Sequence, residues 1–212
     1  MGRVHEQPRM GMPTVDRFNR LQWEMEVFPF QIDQFACSQE ETTPTKGELV
    51  AMRQVPEVDV KNAFAEILGE PFVPSDWGGE QSDLVTSYLK IEGAPVVTAF
   101  ALKGRSVPRP LTIAEMGKHG DQAGRLFTGT SDFVVVQHCN HITSAVRLLM
   151  RAFAMRPGQI KPFCLLDGAY TVQILRAYGK LGFSSRKRKS KSLADSSLEE
   201  PWDLIDEADT VE

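Results

Sequence analysis

Cysteine is scarce in this chain. Cys37, Cys139 and Cys164 are the three among 212 residues, widely spaced and without a Cys-x-x-Cys pair. An odd, scattered set excludes a disulfide framework and suits a reducing compartment. Long apolar runs are missing too: no stretch reaches the ~18–20 residues needed to span a bilayer. Residues 1–20 are polar and contain proline, with no apolar signal core, so the chain reads as cytoplasmic and without a membrane partner. Nor is there an excess of positive charge, since 24 Lys+Arg against 28 Asp+Glu give −4. That sum does not announce a nucleic-acid binder, but it averages unlike segments, and the distribution matters more. A P-loop, a dinucleotide-binding glycine fingerprint and a GxSxG elbow are all lacking, which leaves nucleotide hydrolysis and serine esterase chemistry without support. No self-similar period is visible, which argues against a solenoid.

What is there is the composition of a globular protein, 42% hydrophobic and 25% charged, long enough for one domain with appendages. Residues 1–20 read as a flexible N-terminus. Residues 21–57 read as an ancillary layer: an extended, alternating stretch at 21–32, then a polar loop at 38–47. Residues 58–183 carry the regular structure. From Ser184 a basic cluster, Arg186-Lys-Arg-Lys189 with Lys191, precedes an acidic stretch, and 184–212 reads as an unfolded tail.

Within the folded part, Asp59 is placed to cap a helix whose Val60, Ala63, Phe64, Ile67 and Leu68 share one face and which Gly69 ends. Two strand-like runs, 83–91 and 95–103, meet at Glu92-Gly93, a hairpin signal. Thr112-Ile-Ala-Glu115 is a capping-box pattern opening a helix to about Phe127, weakened by Gly117, Gly120 and Gly124. A buried strand at 133–137 follows, then a helix from Thr143 stopped by Pro157-Gly158. A second buried strand at 163–166 leads through Asp167-Gly168 into a last helix. Strands alternating with helices predict an α/β fold with parallel pairings covered by helices.

Four local features then combine: a capped helix bearing Glu66; Trp77-Gly-Gly-Glu-Gln-Ser-Asp83 at the mouth of the first hairpin strand; Ala99-Phe-Ala-Leu-Lys-Gly104 on the second; and Phe133-Val-Val-Val-Gln137 followed by Phe163-Cys-Leu-Leu-Asp-Gly168. In this order, αββαβαβα over about residues 59–183, they resemble the restriction-endonuclease-like PD-(D/E)XK nuclease superfamily, its Mrr-like branch in particular. The resemblance implies a mixed central sheet with helices on both faces. It also implies a Mg²⁺- or Mn²⁺-dependent DNA endonuclease of restriction or phage-defence type, with Asp83 as metal ligand and Lys103 as catalytic lysine. Such chemistry needs a divalent cation to polarise the phosphoryl oxygen and make hydroxide available, and Mg²⁺ prefers one or two carboxylates with waters.

The chain departs from the family pattern at Ala101, where the acid of the acid-x-Lys motif belongs. Either a carboxylate from elsewhere substitutes, with Glu80, Glu66 and Asp121 as candidates, or the domain recognises DNA without cutting it. Glu80 joins Asp83 as the expected metal-ligand pair, and Gln122 beside Asp121 is a further candidate for the catalytic site. Each has an ordinary reading as well: Asp83 as a strand-start residue, Lys103 as a lysine reaching water from a strand end, and the helical acids as solvated. His138-Cys139-Asn140-His141, with His119, contains zinc-type ligands, but a structural site needs four at compatible spacing. A strand-to-helix turn is the plainer expectation. For DNA contact the base-rich stretch 103–161 offers Arg105, Arg109, Lys118, Arg147 and Arg151, against the alternative of a solvated face balanced by acidic termini. Two further partners stay open: a second copy of the chain, and a protein docking on the acidic tail through Trp202 and Leu204.

Overall fold

The computed structural model of the chain describes residues 25–73, 82–117, 121–158 and 160–187. Its centre is built from three apolar runs, β4 (Thr98–Lys103), β5 (Phe133–His138) and β6 (Phe163–Leu166), buried almost throughout, as strands covered on both faces must be. β4 pairs parallel with β5, and β5 with β6. A short strand, β1 (Leu84–Thr86), lies antiparallel to β4, with Leu84 opposite Phe100 and Thr86 opposite Thr98. The four-strand sheet is therefore mixed and ordered β1-β4-β5-β6.

The predicted hairpin is present but interrupted. Its tip is the pair β2 (Lys90–Ile91) and β3 (Ala94–Pro95), turning through Glu92 and Gly93 at φ 52 and 79. Two successive left-handed residues are what a two-residue hairpin turn of type I′ demands. Its base, β1 with β4, belongs to the main sheet instead.

Five α-helices lie among the described residues: α1 (Lys46–Met52), α2 (Glu57–Leu68), α3 (Asp121–Thr128), α4 (Ser144–Ala154) and α5 (Gly168–Ala177). Alternation along β4 sorts them onto two faces. Phe100 and Leu102 pack with Phe64 of α2 and with Val172 and Leu175 of α5. Ala99 and Ala101 pack with Ala123 and Leu126 of α3 and with Val146 and Met150 of α4. No helix of the described residues is long and apolar enough to cross a membrane.

Several boundaries differ from those predicted. α2 starts at Glu57 behind Pro56, so Asp59 is a first-turn residue rather than the cap. The Thr112–Glu115 capping box forms, yet it closes only a 3₁₀ turn, Ile113–Glu115. Gly117 then turns the chain at φ 85, and α3 begins at Asp121. Glycine tolerance of positive φ thus outweighs the start signal. The polar stretch 38–47 is not simply a loop, because it contains most of a 3₁₀ turn, Ala36–Glu40, and the start of α1, with its own Thr45–Glu48 capping box. In place of a continuous extended stretch, Glu26 bridges to Phe163 and a 3₁₀ turn follows at Pro29–Gln31.

Ile32, Phe35 and Met52 enter the same buried cluster as Phe64 and Phe100. At the other end, Ser185 Oγ and the Arg186 amide donate to the Glu41 carboxylate at 2.6 and 2.7 Å. Residues 184–187 are therefore held, where an unfolded tail is predicted. The rest of that tail, with Trp202, Leu204 and Ile205, lies outside the described residues, as do 1–24.

Candidate active site at the overhanging end of the sheet

β4 runs past β1 at its C-terminal end. β1 begins opposite Phe100, and Ala101, Leu102 and Lys103 continue without a β1 partner. Peptide groups of a strand face its two edges alternately. The Lys103 carbonyl accepts from Cys139 N at 3.0 Å on the β5 side, so the amides of Leu102 and Gly104 face the uncovered edge. Two acids satisfy them: Asp83 Oδ2 accepts from Leu102 N at 2.6 Å, and Glu57 Oε2 accepts from Gly104 N at 3.1 Å. Amides two residues apart in a strand are about 7 Å apart, so the two carboxylates stand side by side on one edge, with Lys103 between their anchor points.

Gly104 makes this approach feasible. A Cβ there would lie 2.6 Å from Glu57 N and 2.8 Å from Glu57 Cα. The first turn of α2 is thus seated directly on the strand end. Lys103 is half-buried and, by alternation, shares the face of Ala99 and Ala101. One turn beyond Glu57, Lys61 is only 3% exposed. A buried ammonium needs a partner, and Glu57, Lys61 and Asp83 are all engaged with neighbours.

The structure therefore brings Asp83 and Lys103 to one strand end. Ala101 is fully buried in the face that receives α3 and offers no ligand atom. The second acid at the strand end is Glu57, which sequence reasoning passed over. Its only signal is its place just after Pro56, and an acid in a first helical turn ordinarily reads as a complement to the helix dipole. Glu66, expected here, is not here. It lies nine residues further along α2, about 13 Å up the helix, and pairs at the surface with Lys180. Glu80 lies outside the described residues. Asp121 is exposed and sits 3.7 Å from Arg125. Gln122 is buried, its backbone N donating to Met116 O at 3.0 Å and its side-chain Oε1 unpaired among the described residues.

The expected DNA contacts divide. Arg147 Nε and Arg151 Nη2 both donate to the Glu26 carboxylate, at 2.9 and 2.8 Å. These guanidinium groups clamp the N-terminal segment onto α4. Arg109 is exposed but reaches Glu115 at 2.8 Å. Thr112 first, and then Arg109, hold the Glu115 carboxyl down at about 2. Arg105 is exposed on the same loop, and Lys118 lies outside the described residues.

The His-Cys-Asn-His run fastens that loop. His138 is buried, its ring nitrogens 3.2 Å from Lys103 O and 2.9 Å from Arg109 O. Burial pushes its pKa below the ordinary value although both carbonyls favour the charged ring. Cys139 Sγ donates to Gly104 O at 3.3 Å, and Asn140 Nδ2 to Pro108 O at 2.7 Å. These contacts make a loop anchor of residues with zinc-type side chains, and His119 lies outside the described residues. Among the described residues no three His, Cys, Asp or Glu side chains converge as a metal site. Mg²⁺ binds through one or two carboxylates and keeps its waters, and Asp83 and Glu57 are the two acids on this strand edge. No protein-family model, curated protein or solved structure matches the chain.

Proposed function

We propose that this chain is a divalent-metal-dependent DNA endonuclease of restriction or phage-defence type, built on the restriction-endonuclease-like fold. The observation that carries the reading is the pairing of Asp83 and Glu57 on alternate amides of the strand end that bears Lys103. In this reading Glu57 stands in for the acid that Ala101 lacks. The element order around it, α2 leading into the first strand and helices alternating with parallel strands after β4, supports the same scaffold. A Mg²⁺ or Mn²⁺ ion held by the two carboxylates would polarise the phosphoryl oxygen and acidify a bound water. The backbone amides fix the carboxylates before substrate arrives, so little reorganisation is left for the reaction. The Lys103 ammonium is the group that orients the attacking water and offsets charge on the phosphorane.

The test is nicking of supercoiled plasmid with Mg²⁺ or Mn²⁺. Asp83→Asn and Glu57→Gln retain a carbonyl oxygen that can cap the Leu102 and Gly104 amides while removing the charge. Each, like Lys103→Ala, is expected to lower cleavage on the order of 100-fold or more with the fold intact. Cleavage unchanged in all three variants would refute the assignment. A second reading has one observation in its favour, the burial of Ala101 where a ligand belongs. It makes the chain a DNA-binding module that does not cut, with salt-sensitive, metal-independent binding that survives Asp83→Ala.

A further inference from the structure

A cleft of about 340 Å³ opens between α1 and the turns that follow β5 and β6. The crevice beyond the carboxyl ends of parallel strands is where open α/β sheets commonly take ligands. One wall is α1. Lys46, Leu49, Val50 and Arg53 line the cleft, and their spacing of three, four and seven residues puts them on one helical face. The floor is tight, since a Cβ on Gly168 would fall 2.5 Å from Cys139 O.

The charges around the cleft are not balanced. Lys46 and Arg53 bring two cations. The facing acid, Asp167, whose Oδ1 is held at the start of α5 by Ala169 N and Tyr170 N at 3.0 Å, offsets one of them and leaves one positive charge in excess. Glu48, on the same helix as Lys46, is turned to Arg176 at 3.2 Å. Between the cations lie Leu49 and Val50, the latter 51% exposed. An anionic group with an apolar body fits this lining, and the volume falls within the range of small-ligand sites, about 300–1,000 Å³.

Two hydrogen bonds link the cleft lining to the carboxylate site. Cys139, in the cleft, donates to Gly104 O, and Gly104 N donates to Glu57. Arg53 and Glu57 both act on the Cys139 thiol, whose pKa burial pushes up.

We propose that this cleft is a nucleic-acid subsite, taking a phosphate and its sugar from the strand whose neighbouring phosphodiester lies at Asp83 and Glu57. The inference rests on the nuclease reading and names where its substrate strand is gripped. Arg53 and Lys46 meet the phosphate, and Leu49 and Val50 meet the sugar.

The experiment is fluorescence anisotropy of a short labelled DNA oligonucleotide with the full chain in EDTA, over a range of salt. The Lys46→Ala/Arg53→Ala variant is expected to bind about tenfold or more weakly, with a log–log salt slope shallower by about one to two. Val50→Glu, at an exposed position, is expected to weaken binding by like-charge repulsion while its melting temperature stays that of the parent. Unchanged affinity and slope in both variants would overturn the proposal. So would a deoxynucleoside monophosphate that raises the melting temperature of the parent but not of the variants, if oligonucleotide binding is the same in all three; the occupant would then be a free phosphate compound. This binding is read without metal and without cleavage, so its failure is distinct from a failure of the nuclease assay.

Discussion

At Gly104 the first turn of α2 and the end of β4 approach so closely that a methyl group would lie 2.6 Å from the Glu57 amide nitrogen. Of the three Glu57 atoms it would meet, N and Cα are backbone and cannot swing aside. Gly104→Ala is expected to cost about 1–3 kcal/mol, the usual range for overpacking, read as a lowered urea midpoint. Plasmid nicking should fall with it as Glu57 is pushed off its amide. The nearness of Asp83 to the Lys103 end of β4 was legible in the sequence, because two strand-like runs meeting at Glu92-Gly93 bring their far ends together. Glu57 was not. Periodicity says which face of α2 is apolar but not which turn of the helix is seated on the sheet. On periodicity alone Glu66, off the centre of the stripe, is no less suitable than an acid at the start.

The order of helices and strands from α2 to α5 was readable because apolar spacing changes from period two to period 3.6 along the chain. Their ends were less so. A capping box marks where a helical turn begins, not how long it lasts, and at Thr112 it yields three residues of 3₁₀ helix before Gly117 redirects the backbone. At the end of β5, His138 joins two elements through the carbonyls of Lys103 and Arg109, and this gives the loop a pH dependence. Its folded pKa is lowered by burial, so between that value and the unfolded value of about 6.5 the unfolded chain binds more protons. Stability is accordingly full above about pH 6.5 and declines as pH falls through that window. Urea midpoints across the window should decline in the parent and decline less in His138→Gln, whose side chain does not titrate.

Across the whole molecule, ion pairs distant in sequence join the apolar contacts of Ile32, Phe35 and Met52 in binding the N-terminal segment to the core. Arg176 of α5 is fully buried, 3.3 Å from Glu41 in an ion pair off hydrogen-bond alignment, and 3.2 Å from Glu48; its guanidinium also donates to Thr42 O. Leaving a buried charge short of its partner costs about 3–5 kcal/mol. Glu41→Ala is expected to lose an amount near the lower figure in urea titration, because Glu48 and Thr42 remain with Arg176. The same variant should release residues 184–187, seen as faster proteolysis after Lys187. None of this was readable from composition. A net charge of −4 is silent about pairs, and arginines at helical spacing look alike whether they meet phosphate or, like Arg147 and Arg151, a single buried glutamate.

The strand overhang carries one more consequence. A β edge with unpaired amides is a template on which another chain can add a strand, and here the stretch beyond β1 is closed by side chains instead of by backbone. Asp83 and Glu57 thus act as stoppers on sheet growth whatever else they bind. Replacing both by residues without an acceptor would open that edge to self-association, and a dead double variant would then be silent for reasons of aggregation as much as of chemistry.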